Sequence, residues 1–239
     1  MTDRKHELAA NLARVEERIA SACAAAGRKR ADVTLIVVTK TYPASDVRLL
    51  SGLGVRHVAE NRDQDAAPKA ASCADLSLHW HFVGQLQTNK VRSVAGYAHT
   101  VQSVDRARLV TALSGASVGA GRELGCLIQV ALDAESGERG VRGGVGPDGV
   151  EELADRVAGA PGLRLDGLMT VAPLAGPYAG RQRAAFERLM EISSGLRAAH
   201  PAANMVSAGM SADLEEAVAA GATHVRVGTA VLGVRPRLG

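Results

Sequence analysis

The first residue in the chain with evident chemistry is a lysine. Residues 34–39, TLIVVT, are apolar or β-branched, and the run ends on Lys40. A run of this kind reads as a strand buried on both faces. In a parallel β/α fold, functional groups project from the tips of such strands. An amine held there, partly desolvated and near other cations, binds its proton less tightly and can attack a carbonyl to form a Schiff base. A surface lysine with a buried stem is the plainer alternative. Lysine is used sparingly, at Lys5, Lys29, Lys40, Lys69 and Lys90, while the remaining basic residues are arginines.

Two later stretches could receive an anion. SAGMSADLEEAV (207–218) sets small residues and the hydroxyls of Ser207 and Ser211 at a helix start. Ser211 is expected as the N-cap, with Leu214 and Val218 on the buried face. RVGTAVLG (226–233) adds a second glycine–hydroxyl turn at Gly228 and Thr229. Glycine lets backbone N–H groups approach an anion, and a helix start adds partial positive charge. Two ordinary capped helices would look the same one at a time. Together with Lys40, the pair points to a phosphorylated aldehyde or ketone, either pyridoxal phosphate or a sugar phosphate. Arg226, between Val225 and Val227, cannot give up its charge and needs a partner. It either pairs with a carboxylate such as Asp213 or faces a pyridine nitrogen, which would keep that nitrogen unprotonated.

These residues need elements to position them. Leu8, Leu12, Val15 and Ile19 recur at helical spacing within 5–25. Strands are expected at 33–38, 55–59, 78–83, 98–102, 124–131, 163–169, 204–207 and 223–227. Helices are expected between them at 43–53, 61–72, 86–95, 105–117, 147–159, 180–199 and 211–220. This alternation predicts one (β/α)8 TIM-type barrel domain over 1–239 with an extra N-terminal helix, in preference to an open doubly wound sheet. Asn61 follows the second strand, Gln85 and Gln87 the third, and Met169 and Thr170 the sixth. Gln85, Gln87, Asn89 and Lys90 form a polar loop, either a contact surface or a solvated helix start. His79 and His81 share one strand face and could bind a metal, but no third ligand of matching logic accompanies them. Trp80 should point to the outer helices.

Composition narrows the class. No apolar run is long enough to span a membrane, and the charged N-terminus lacks a secretory h-region. Cys23, Cys73 and Cys126 form neither a metal spacing nor a disulfide framework, which favours the cytoplasm. A net charge of +3 and 3% aromatics argue against nucleic acid.

The stretches VVTKTYPASDV, HVAENRDQD, LHWHFVGQLQTNKV, LDGLMTVAP and VSAGMSADLEEAVAAGATHVRVGTAVLG resemble, in order, the YggS/PROSC family of pyridoxal phosphate homeostasis proteins. More distantly, the chain resembles the barrel of alanine racemases. The resemblance implies a monomeric or weakly associating barrel that holds pyridoxal 5'-phosphate as a reversible lysine aldimine and supplies it, by transient contact with pyridoxal phosphate enzymes, without established turnover. It carries the aldimine lysine onto Lys40, the asparagine beside the cofactor onto Asn61 and the phosphate site onto Ser207, Gly228 and Thr229. The arginine facing the pyridine nitrogen falls on Arg226. Ala59 and Ala208 depart from the family's glycine and methionine. Glu138 and Arg139 stand in a loop where many members carry a lysine, so no role passes to a second lysine there. The competing reading is a pyridoxal phosphate-dependent racemase. Alanine racemases take an essential tyrosine from a further domain, and no such domain is expected before Gly239. A Schiff-base aldolase acting on a sugar phosphate is the third reading.

Overall fold

The computed structural model describes residues 2–133 and 142–233. Glu138 and Arg139 lie outside the described residues. The strands are β1 (Thr34–Val38), β2 (His57–Glu60), β3 (His79–Phe82), β4 (Thr100–Val104), β5 (Leu124–Gln129), β6 (Leu163–Met169), β7 (Met205–Ser207) and β8 (His224–Val227). They are parallel, neighbour one another in chain order and close into a barrel, with Ile36 of β1 in register with Arg226 of β8. The helices are α1 (Thr2–Ala25), α2 (Ala44–Gly52), α3 (Asp63–Ser72), α4 (Val91–Tyr97), α5 (Ala107–Gly119), α6 (Val150–Ala158), α7 (Gln182–Ala199), α8 (Leu214–Ala220) and α9 (Thr229–Leu232).

Outward strand residues and inward helix residues make the apolar layer. Val37, Val58, Trp80, Val225 and Val227 pack with Leu8, Val15 and Ile19 of α1. Val101, Cys126, Ile128, Leu168 and Val206 pack with Leu109, Leu153 and Phe186 on the other side. Trp80 points outward and meets Tyr97 edge to face, 6.5 Å between ring centroids. Alternate strand residues must then face the barrel interior. Here those positions are unusually polar: His57, His79, His81, Thr100, Gln102, Ser207, His224 and Arg226.

Some boundaries differ from the sequence reading, each for a local reason. β4 begins at Thr100, because Ala98 is spent closing α4 through its N–H to Val94 O. The segment after β3 is a 3-10 turn, Thr88–Lys90, before α4 begins. α8 begins at Leu214, and Ser211 is not its cap: Asp213 holds the N-cap position. Residues 208 and 209, just ahead of that expected helix, prolong the sheet pairing, with Ala208 N–H donating to His224 O and Arg226 N–H to Gly209 O. The short helix α9 was not anticipated. β6 needs Gly167, whose φ is +149°. A Cβ there would sit 1.9 Å from Met205 O of the neighbouring strand. No described helix is long and apolar enough to cross a membrane.

Candidate functional site at the barrel mouth

The strand registers bring the expected residues to one end of the barrel. Val38 pairs with Ala59, which sets Lys40 level with Asn61. Gly228 lies beside β1: a Cβ on it would be 3.3 Å from Val38 O. Met169 pairs with Ser207, so the loop carrying Ser207 rises at the same end. Lys40 is half-buried and is followed by Thr41 at φ +71°. A β-branched residue in the left-handed region is costly, so the turn that aims Lys40 is imposed by its surroundings.

Two supports beneath this turn were missed by sequence reasoning. Gly84 follows β3 and approaches Asn61 so closely that a Cβ would lie 2.0 Å from Asn61 O. The glycine therefore fixes the height of the Asn61 backbone, and a glycine directly after a strand was the available signal. The second support is an ion pair. Lys69 of α3 donates to Glu60 Oε1 at 2.5 Å and to Thr39 O at 2.8 Å. The Thr39 hydroxyl also donates to Glu60 Oε1, at 2.7 Å. Glu60 is fully buried and its Oε2 has no partner among the described residues. Burial pushes the Glu60 carboxyl up, against the pull of Lys69 and Thr39. This clamp ties the exit of β1 to the exit of β2. The scarcity of lysines marked Lys69 as much as Lys40.

Both glycine–hydroxyl turns present backbone donors. Among the described residues, the N–H groups of Ser211, Gly228 and Thr229 have no backbone or side-chain acceptor. Gly228 O accepts from Val231 and Leu232 N–H, turning the chain so that its own N–H stays outside the helix. Gly209 has φ +86°, and a Cβ there would collide with Ala217 at 2.5 Å. The Ser211 hydroxyl lies 3.4 Å from Ala230 N and joins the two turns.

Arg226 lies one layer below, buried, and does not pair with Asp213 through a hydrogen bond. Its Nη1 donates to Ser207 Oγ at 2.6 Å and its Nη2 to Thr170 O at 2.8 Å. Burial pulls its pKa down to about 10, with the Asp213 charge opposing. The Ser207 hydroxyl is thus committed inside the barrel. Because arginine only donates, Ser207 must pass its own proton on, to Gln102 Oε1 at 2.7 Å. Gln102 Nε2 then faces His81 Nδ1 at 2.9 Å, and His81 Nε2 faces His57 Nδ1 at 3.0 Å. A one-way donor chain follows, Arg226 to Ser207 to Gln102 to His81 to His57, which assigns the proton of His81 to Nε2. Gln102 is the link that no motif marked. The expectation that His79 and His81 lack a third partner is corrected here: His57 joins them from β2, with one ring nitrogen of each within 4.8 Å of the others.

Other expected residues divide. Asn61, Gln85, Gln87 and Lys90 line one cavity of about 300 Å³ beside the mouth. Tyr42, the tyrosine nearest Lys40 in sequence, donates its hydroxyl to Gly233 O at 2.8 Å.

A closed parallel barrel with a lysine at its mouth, an arginine below and two donor-rich turns at the same end belongs to the class of alanine-racemase-type barrels. Residues 10–236 match the family described as alanine racemase, N-terminal domain. The chain is 43% identical to the pyridoxal phosphate homeostasis protein of Mycobacterium tuberculosis strain H37Rv, covering 98% of this chain and 95% of that one. It is 36% identical to the protein of the same name in Escherichia coli K12, covering 96% and 97%. The chain belongs to the pyridoxal phosphate homeostasis protein family. Among solved structures, PipY of Synechococcus elongatus, determined with PLP bound, superposes with a TM-score of 0.78 at 33% identity, covering 92% of this chain and all of that one (100%). Alanine racemase of Corynebacterium glutamicum shares the fold, with a TM-score of 0.63 at 16% identity, and this chain covers 62% of it.

Proposed function

We propose that this chain binds pyridoxal 5'-phosphate at the barrel mouth and acts as a carrier in cofactor homeostasis. The observation that supports this best is the co-location, at one barrel end, of Lys40, a buried arginine and unpaired backbone donors on two facing turns. The residues fit the group. Ser211, Gly228 and Thr229 offer N–H donors to a phosphate. Lys40 offers the amine that holds the aldehyde reversibly. Arg226 has two of its five N–H donors on Ser207 and Thr170, which leaves others for the ring nitrogen. Asn61, fixed by Gly84, flanks the ring. Ser207 serves by opening the phosphate loop and by holding Arg226. When bound, pyridoxal phosphate supplies an electrophilic aldehyde and a conjugated ring that can withdraw electrons. An arginine at the ring nitrogen weakens that withdrawal, which suits storage better than turnover.

The carrier reading outranks the racemase reading on one further ground. Racemisation needs acid–base groups on both faces of a substrate carbon. Tyr42 directs its hydroxyl to Gly233 O. The protein works as one barrel domain, as a monomer in the cytoplasm, passing the cofactor to pyridoxal phosphate enzymes by transient contact.

Absorbance spectroscopy of the purified chain tests the binding. Added pyridoxal phosphate should give the yellow band of a lysine-linked cofactor, borohydride should fix it to the protein, and Lys40→Ala should abolish both. A chain that gains no band defeats the proposal, and a band surviving Lys40→Ala defeats the lysine assignment. Sustained chiral inversion of L-amino acids by the loaded protein would overturn the carrier reading.

A further inference from the structure

The opposite end of the barrel carries a second constellation that the mouth does not use. His57 and His79 open β2 and β3 side by side, in register with each other. His81 lies one inward position further along β3. One nitrogen from each of the three rings falls within 4.8 Å of the others. We propose that these three histidines form a binding site for a Zn²⁺-type transition-metal ion at the barrel floor.

Two of the three rings are held through one nitrogen by a neighbour, as metal-ligating histidines are. His79 Nε2 is held by Thr100 Oγ1 at 2.8 Å, which leaves Nδ1 as its ligating atom. His81 is held through Nδ1 by Gln102 at 2.9 Å, which presents Nε2. His57 presents Nδ1 toward that same Nε2, 3.0 Å away. Fixing a histidine through its distal nitrogen is the supporting arrangement that metal sites use. Two ligands of a tetrahedral ion with bonds of 2.0–2.1 Å are about 3.3 Å apart, so the His57–His81 separation needs only a small opening. The His79 ring must close in by a larger shift. His57 and His79 are only half-buried, and His57 lines a floor cavity of about 410 Å³ with Glu16, Arg30 and Thr34. An ion therefore has a path in.

Ion and proton compete at one atom. With the floor empty, His81 carries its proton on Nε2. On loading, that proton is carried on Nδ1 instead and donated to Gln102 Oε1. The amide turns over so that its Nε2 donates to Ser207 Oγ, which then accepts from both Gln102 and Arg226 and turns its own proton away from Gln102. Neutral imidazoles without a carboxylate suit zinc rather than calcium or magnesium, which require oxygen ligands.

The test uses the full chain, stripped with a chelator and free of any histidine tag. Zn²⁺ is titrated in competition with a chromogenic chelator. One ion should bind per chain. His57→Gln and His79→Gln should each weaken it about tenfold or more, the scale on which altered metal surroundings act. His6→Gln and His200→Gln should leave it unchanged. X-ray absorption on the wild-type complex, which needs no variant to fold, should show three imidazoles at about 2.0–2.1 Å. Absence of stoichiometric binding, equal binding by the His57→Gln/His79→Gln double variant, or a spectrum without imidazole scattering would overturn the site.

Discussion

Acid should destabilise this protein well before most of its carboxylates titrate, because its barrel holds several histidines in neutral form. Burial, with neighbouring cations, pulls His79 down to about 3 and His224 down to about 4. His57, His81 and His99 are shifted in the same direction, chiefly by burial. In the unfolded chain each imidazole titrates near 6.5. The folded pKa lies below the unfolded one, so the unfolded state binds more protons between the two. Stability is then complete above about pH 6.5 and falls as pH drops toward the folded values. At pH 5, a histidine with a folded value of 3 or 4 costs about 2 kcal/mol by linkage. Solvent screening at the half-buried His79 reduces this to about 1 kcal/mol. His79 and His224 together remove about 3 kcal/mol, a large part of a typical domain's 5–15 kcal/mol. Glu60 acts oppositely: its raised pKa makes the fold bind a proton first, which offsets part of the loss. Urea unfolding with a chelator present, followed through Trp80, reads the effect directly. The midpoint should fall steeply between pH 7 and pH 5, and His79→Gln should flatten the slope. A midpoint that is level across that range, or a slope untouched by His79→Gln, refutes the reasoning.

Other perturbations have equally definite outcomes. Gly84→Ala drives a Cβ to within 2.0 Å of Asn61 O, so it should cost about 1–3 kcal/mol in chemical denaturation and weaken pyridoxal phosphate binding in the absorbance titration. Thr41→Gly relieves a left-handed threonine and should stabilise the apo-protein by about 1 kcal/mol in the same assay. Lys69→Met strands the buried Glu60 and should cost about 3–5 kcal/mol at pH 7, and less as the pH falls, because the raised pKa of the carboxyl favours its neutral form. Ser207→Ala removes the acceptor of Arg226 Nη1 and should shift the absorbance maximum of the bound cofactor while leaving borohydride trapping at Lys40 intact.

Much of this architecture is legible in the sequence because it follows from local pattern. Strand runs such as TLIVV and LRLDGLM and the α1 stripe of Leu8, Val15 and Ile19 are set by hydrophobic period. The strand–helix alternation then leaves few topologies, and a closed parallel barrel places every strand tip at one end. That is why Lys40, Asn61, Gly228 and Thr229 could be put at a common mouth from their chain positions alone. Family resemblance supplied the cofactor, which spacing had left open between pyridoxal phosphate and a sugar phosphate.

Tertiary structure decided what depends on neighbours distant in the chain. Arg226 had two candidate partners by sequence, and the register of β6, β7 and β8 gave it Thr170 and Ser207 instead of Asp213. The Ser211 cap failed because residues 208 and 209 pair with β8, a long-range hydrogen-bonding choice that outweighs local cap preference. Gln102 carries no motif, and it joins the arginine to the histidines only because β4 faces β7 across the barrel interior. His57 likewise looked unremarkable until parallel pairing set it beside His79. The sequence alone determined which strand tips gather at the mouth, since period and chain order are local properties. The closed barrel decided which inward side chains meet, since register across strands is fixed only when all eight are in place.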